Sequence, residues 1–174
     1  MILLSSDKRI LKYGIISALF YWASTFILMK MFDNAVIFLS FYFPGAIFGF
    51  FLTIPLTPHK KTDPATLTIA SILIYFFVLL FMNKNLQILI QARQIISPGL
   101  GGLLLLTVIT KTYSIDSTYR DYIWVFLLGI LTTFYSWIIL KEFFNPWFLF
   151  FSIGLWQITF AFYLNLITIR QSQK

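Results

Sequence analysis

The stretch QILIQARQIISPGLGG (residues 87–102) sets three glutamines, an arginine and a Pro-Gly pair inside a chain that is otherwise largely apolar. Read as an amphipathic surface helix it leaves five long apolar runs. Read as a crossing it makes six, and the choice decides the fold.

The composition sets the frame. The chain has 174 residues, 59% hydrophobic and 11% charged, and its mean hydropathy is +0.85. That is more apolar than the core of a water-soluble domain requires, and it is the composition of an integral membrane protein. No polar tract is long enough to fold separately, so residues 1–174 read as one membrane domain. The absence of cysteine excludes disulfides and thiolate metal sites, and no metal or cofactor is expected. The formal charge of +7 sits at the ends of apolar runs, where it sets orientation and meets headgroups, so nucleic acid is not an expected partner. The N-terminus MILLSSDKRILKYG lacks a small-residue cleavage signal near the end of its following span and reads as an uncleaved first helix.

A hydrocarbon core of roughly 30 Å takes about 20 apolar residues of helix. Such runs lie at 13–29, 35–56, 66–82, 86–110, 122–140 and 144–169. PHKKTDP (58–64) and KTYSIDSTYRD (111–121) carry the breakers and charges of surface loops, whereas KMFDN, NKN and KEFFNP are short turns. The expected fold is therefore all-α: six transmembrane helices arranged as three antiparallel hairpins. With six crossings and a cytoplasmic N-terminus, Lys8, Arg9, Lys12, Lys60, Lys61, Lys111, Arg120, Arg170 and Lys174 fall inside, against Lys30, Lys84 and Lys141 outside. The positive-inside rule prefers this sorting, with both termini cytoplasmic, in a plasma or inner membrane. Five crossings would spoil it, so residues 87–102 belong to a spanning helix. Tyr13, Tyr122, Trp124 and Trp147 stand where aromatic belts or lipid-facing bulk are expected.

Catalysis has little to work with. His59 is the only histidine and lies in a loop beside Lys60 and Lys61. Asp63, Asp116 and Asp121 lack the spacing and histidine partners of a metal-dependent site, and Asp33 and Glu142 sit at the opposite turns. The chain does not read as an enzyme.

Polar residues within spans are costly unless paired, which makes them the informative ones. Gln87, Gln91, Gln94 and Pro98 form one stripe of the fourth span, and Arg93 with Ser97 a second, about 100° away. Arg93 lies roughly 12 Å along the helix from Asn85. It either snorkels outward to the far, non-cytoplasmic interface or lines a cavity for an anionic or zwitterionic ligand. Pro98 frees the carbonyl of Gln94, and with Gly99, Gly101 and Gly102 it marks a candidate hinge. Weaker polar lines are Ser17, Tyr21 and Ser24, then Thr132, Thr133 and Ser136, with Gln157 on the sixth span. Serine and threonine in spans mostly satisfy helix carbonyls. Gly45 and Gly49 form a G-x-x-x-G, a helix-packing motif.

The first two hairpins look alike. Lys30 precedes Pro44-Gly45 as Lys84 precedes Pro98-Gly99, and the third hairpin, with Lys141 and then SIGL (152–155), follows loosely. YWASTFILMK (21–30), with Trp22, Ala23, Ser24, Thr25, Phe26 and Lys30, resembles the first-helix signature of EamA-type drug/metabolite transporters. MNKNLQILIQARQIISPGLGGLLLL (82–106), with Lys84 at the turn and Pro98 beyond it, is similar to that family's passage from third to fourth helix. The resemblance covers about residues 13–109. It implies alternating access around a central site, and a homodimer that completes a two-repeat transporter.

The expectation is thus a small transporter or permease-like protein moving a small organic solute, with Arg93, Gln91, Gln94, Gln87, Tyr21 and Gln157 at the site. The rival is a non-catalytic membrane subunit or scaffold, or a homo-oligomeric pore, assembled through the polar fourth span with itself or a partner membrane protein. No acidic residue falls within a span, so a carboxylate proton relay is not expected.

Overall fold

The computed structural model describes residues 9–31, 35–56, 64–82, 90–140 and 146–173, with the side chains of several helix ends excepted. These form six helices: α1 (Arg9–Met31), α2 (Ala35–Leu56), α3 (Pro64–Met82), α4 (Ile90–Tyr113), α5 (Tyr119–Leu140) and α6 (Pro146–Ser172). The α2 bounds coincide with the expected span. The other five extend past theirs: α1 starts at Arg9 rather than 13, α3 at Pro64 rather than 66, α4 continues to Tyr113 rather than 110, α5 starts at Tyr119 rather than 122, and α6 continues to Ser172 rather than 169, so the ends of the expected 111–121 loop are helical. Length in hydrocarbon limits a span but not a helix, and Pro64 is suited to a first helical position, where no N–H is needed.

Each helix packs on its neighbours in chain order, and α6 closes the circle on α1 while also reaching α2 and α4. The ring is up-and-down. Gly45 meets Ile72 and Gly49 meets Thr68, so α2 and α3 are antiparallel; Gly102 meets Val125 across α4 and α5, and Gly14 meets Ala161 across α1 and α6. The even helices therefore run parallel to one another. The start of α1, the turn from α4 to α5 and the end of α6 share one end of the ring.

Missing Cβ atoms set the closest approaches. A Cβ on Gly45 would come within 2.8 Å of α3 backbone, and one on Gly129 within 2.6 Å of the Gly99 nitrogen. Gly45, Gly99 and Gly154 each stand against the odd helix that follows in the ring: α3, α5 and, through Trp22, α1. The repeat visible in Pro44-Gly45 and Pro98-Gly99 thus has a third member in Gly154.

Side chains of α6 fill the middle. Trp156 packs edge-on against Phe48 and Tyr75 and stacks on Phe160, with centroids 5.4–5.6 Å apart. Leu52, Leu105, Leu106 and Leu164 extend this core, each at most 1% exposed.

The outside is as apolar as the inside. Ile69, Leu73 and Phe77 make one outward line on α3, and Ile96, Leu100 and Leu104 another on α4, with Phe77 62% exposed. Conversely Ser17, Thr53, Ser71, Ser97, Ser136 and Gln157 are buried. A helix in water shows the opposite pattern. Among the described residues three helices have a stretch long and apolar enough to cross a membrane, namely Arg9–Leu28, Ile95–Tyr113 and Phe150–Ser172. This points to a membrane protein.

Candidate functional site

A buried polar node lies where α1, α2, α3 and α6 meet. Helical spacing puts Ser17, Tyr21 and Thr25 on one face of α1, and all three are buried. The side chains of Tyr21 and Thr25 are hydrogen-bonded to each other. Ser17 donates to the Gly14 carbonyl at 2.9 Å and to Gln157 Oε1 at 3.1 Å. Gln157, 0% exposed, gives its Nε2 hydrogens to the Pro44 carbonyl at 3.3 Å and the Tyr75 hydroxyl at 3.4 Å. Its neighbour Trp156 donates its indole N–H to the Pro98 carbonyl at 3.0 Å. Two consecutive residues of α6 are thus bonded to the carbonyls of the two prolines that head the repeated Pro-Gly pairs.

The chemistry available is that of an amide, four hydroxyls, an indole N–H and helix carbonyls. Such a set can hydrogen-bond a neutral or zwitterionic molecule in a water-poor setting, where each bond is stronger than in water. In the conformation described, both polar ends of Gln157 are already engaged with protein, and the node is closed.

Of the residues expected at a solute site, Tyr21 and Gln157 are both buried in this node. Arg93, Gln91 and Gln94 have their backbone on α4, one to two turns beyond Pro98 and away from the α4–α5 turn. Their side chains lie outside those described, and Gln87, His59, Asp63, Asp33 and Glu142 lie outside the described residues altogether. α4 continues as helix through Pro98. Gly99 meets Phe126, Gly102 meets Val125 and Gly101 meets Val78, so the three glycines expected at a hinge occupy packing positions. Ser24 turns back to the carbonyls of Phe20 and Tyr21 on its own helix. Thr132, Thr133 and Ser136 do the same to Leu128, Gly129 and Thr132 at 2.7–3.3 Å.

Tyr75 and Trp156 were not anticipated. Tyr75 had a signal, because it carries the one polar group between Ile72 and Met82. Trp156 had none, since an indole in an apolar run looks like bulk.

A second arrangement sits at the shared end of the ring. α4 ends with Ser114 in the left-handed region, at φ 54. The Ile115 N–H then reaches the Thr110 carbonyl at 3.3 Å, the closure of a Schellman-type cap. α5 begins with one half of a capping box: Asp121 Oδ2 accepts from the Thr118 backbone N–H at 2.7 Å and also from its hydroxyl at 2.8 Å. The same oxygen accepts from Arg170 Nη2 at 2.6 Å, and Oδ1 accepts from the Tyr163 hydroxyl at 3.1 Å. Burial, with Asp121 1% exposed, pushes the carboxyl pKa up. The bonds from Arg170, Thr118 and Tyr163 outweigh it and hold the value at about 2. This carboxylate fastens the α4–α5 turn to α6. Beside it lies an open cleft of about 460 Å³ lined by Lys111, Asp116, Ser117, Thr118 and Arg170. An apolar groove of about 390 Å³ runs along α5 and α6 past Leu131, Tyr135, Leu155 and Thr159.

No protein-family model matches the chain, and no curated protein or solved structure matches it either. The functional reading therefore rests on these sites.

Proposed function

We propose that this chain is a small multi-pass membrane transporter or permease-like protein, acting by transport rather than catalysis. In this reading all six helices cross a plasma or inner membrane, and both termini are cytoplasmic. The outward apolar lines support the crossings. The position of Arg9, Lys12, Lys111, Arg120 and Arg170 at one end of the ring supports the orientation.

The observation that carries transport is the node itself: buried polar side chains from α1, α3 and α6 converge beside the carbonyls of Pro44 and Pro98. A polar convergence at mid-helix, beside prolines that free backbone carbonyls, supports a small-solute site. Tyr21 and Gln157 contact the solute, and Arg93, Gln91 and Gln94 orient its anionic or zwitterionic end. Alternating access proceeds as the Trp156–Pro98 and Gln157–Pro44 bonds exchange for bonds to solute, with Pro98 and its glycines as hinge. A homodimer completes the assembly, as the resemblance to EamA-type transporters implies.

The test is uptake of small organic acids and zwitterions by vesicles holding the purified chain. Gln157→Leu removes interhelical bonds to Ser17, Pro44 and Tyr75 that in a bilayer average about 0.6 kcal/mol each, so stability falls by about 2 kcal/mol. Flux falls by more than about ten-fold if Gln157 contacts solute during transport. A variant that transports as well as the wild type contradicts the reading.

The rival, a non-transporting membrane subunit, is favoured by one observation: Gln157 already has protein partners at both polar ends. It predicts stoichiometric co-purification with a second membrane protein and no flux.

A further inference from the structure

The cleft at the α4–α5 turn carries both signs of charge. Lys111 is in the last turn of α4 and Arg170 in the last turn of α6, and the exposed Asp116 lines the same space. Among the described residues no ion pair involves Lys111 or Asp116. Arg170 gives Nη2 to Asp121 at 2.6 Å. That bond fixes the guanidinium in place and uses one of its five N–H donors. The Ser117 hydroxyl stands in the cleft as well, 3.4 Å from the Tyr122 hydroxyl.

The depth is set by the neighbouring helices. The apolar stretches Ile95–Tyr113 and Phe150–Ser172 both end here. Tyr119 and Trp124, 71% and 52% exposed, flank the site on α5, the placement of residues that sit among headgroups.

We infer that this cleft binds a phosphate diester bearing a primary amine, the chemistry of a phosphoethanolamine headgroup. The phosphate meets Lys111 and Arg170, and the ammonium meets Asp116. Charge decides between headgroups. With Arg170 balanced by Asp121, the cleft is left, among the described residues, with one free cation, Lys111, and one free carboxylate, Asp116. A purely anionic headgroup leaves Asp116 facing like charge, and a quaternary amine cannot donate the hydrogen bond that Asp116 accepts. The inference rests on the membrane reading, because the ends of the spans place the cleft at headgroup depth.

The experiment uses the full chain purified in mild detergent and measures retention of phosphatidylethanolamine, phosphatidylcholine and phosphatidylglycerol by native mass spectrometry. The expected result is a preference of about ten-fold for phosphatidylethanolamine, the worth of one charge-assisted bond. Lys111→Gln lowers retention of the ethanolamine and glycerol lipids together, and Asp116→Asn abolishes the preference for ethanolamine. Competition by millimolar glycerophosphoethanolamine assigns the site to a soluble ligand of the same chemistry, and its failure to compete assigns it to the lipid. Equal retention of the three lipids, or an unchanged preference in Asp116→Asn, overturns the inference. Release of the chain from carbonate-washed membranes is a different result and contradicts the membrane reading instead.

Discussion

At the scale of the residue, two positions at the α4–α5 turn have opposite relations to stability. Ser114 occupies the left-handed region at φ 54, a conformation that glycine adopts without a Cβ penalty. Ser114→Gly is expected to raise the unfolding free energy by about 0.5–1 kcal/mol, read as a higher thermal midpoint in detergent. Asp121 does the reverse. Its carboxyl, held at about 2 against an ordinary 3.8, binds a proton more weakly in the folded chain than in the unfolded one. The stability this confers, about 2 kcal/mol, is present in full above the ordinary value and is lost as pH falls through about 2. Asp121→Asn should lower the midpoint at neutral pH and remove that acid step. A wild-type midpoint flat from pH 5 to 2 counts against the account. The sequence showed Asp121 as a loop acid without metal partners. It could not show that the carboxylate is bonded to Arg170 and Tyr163, because those partners come from another helix.

At the scale of the element, glycines divide into those that touch backbone and those that touch side chain. A Cβ at Gly129 meets the Gly99 nitrogen at 2.6 Å, where neither helix can yield without moving apart. A Cβ at Gly101 meets a Val78 methyl at 3.0 Å, which a small side-chain shift relieves. Gly129→Ala should cost about 2 kcal/mol or more, and Gly101→Ala less than about 1. Equal thermal shifts in the two variants would show that close approach of α4 and α5 does not hold the ring. The packing role of Gly45 and Gly49 was legible from their four-residue spacing. Gly14, Gly129 and Gly154 carry the same role with no motif, since each meets its partner helix singly. Pro98 was legible as a proline within a span, though the helix continues through it, and the partner of its carbonyl, Trp156, was hidden in an apolar run.

At the scale of the whole molecule, the number and nature of the helices could be read because length and hydropathy are local properties of a span. The order of the ring could not. Short turns brought α1 to α2 and α3 to α4, but the closure of α6 on α1 depends on Gly14 against Ala161 and Ser17 against Gln157, contacts with no sequence signature. The molecule that results is apolar outside and polar at its middle. Whether that middle opens separates a transporter from a scaffold.

The chain contains no cysteine, so a single introduced thiol reports one position cleanly. Ser17→Cys places it in the node, at a site 0% exposed, and Leu106→Cys places a control in the apolar core, also 0% exposed. In native membranes treated with a small hydrophilic methanethiosulfonate, the account predicts that Ser17→Cys is modified over minutes, as the node opens to water, while Leu106→Cys stays unreactive. If both thiols remain unreactive alike, the node is a fixed structural joint and the central claim of a solute path through it is wrong.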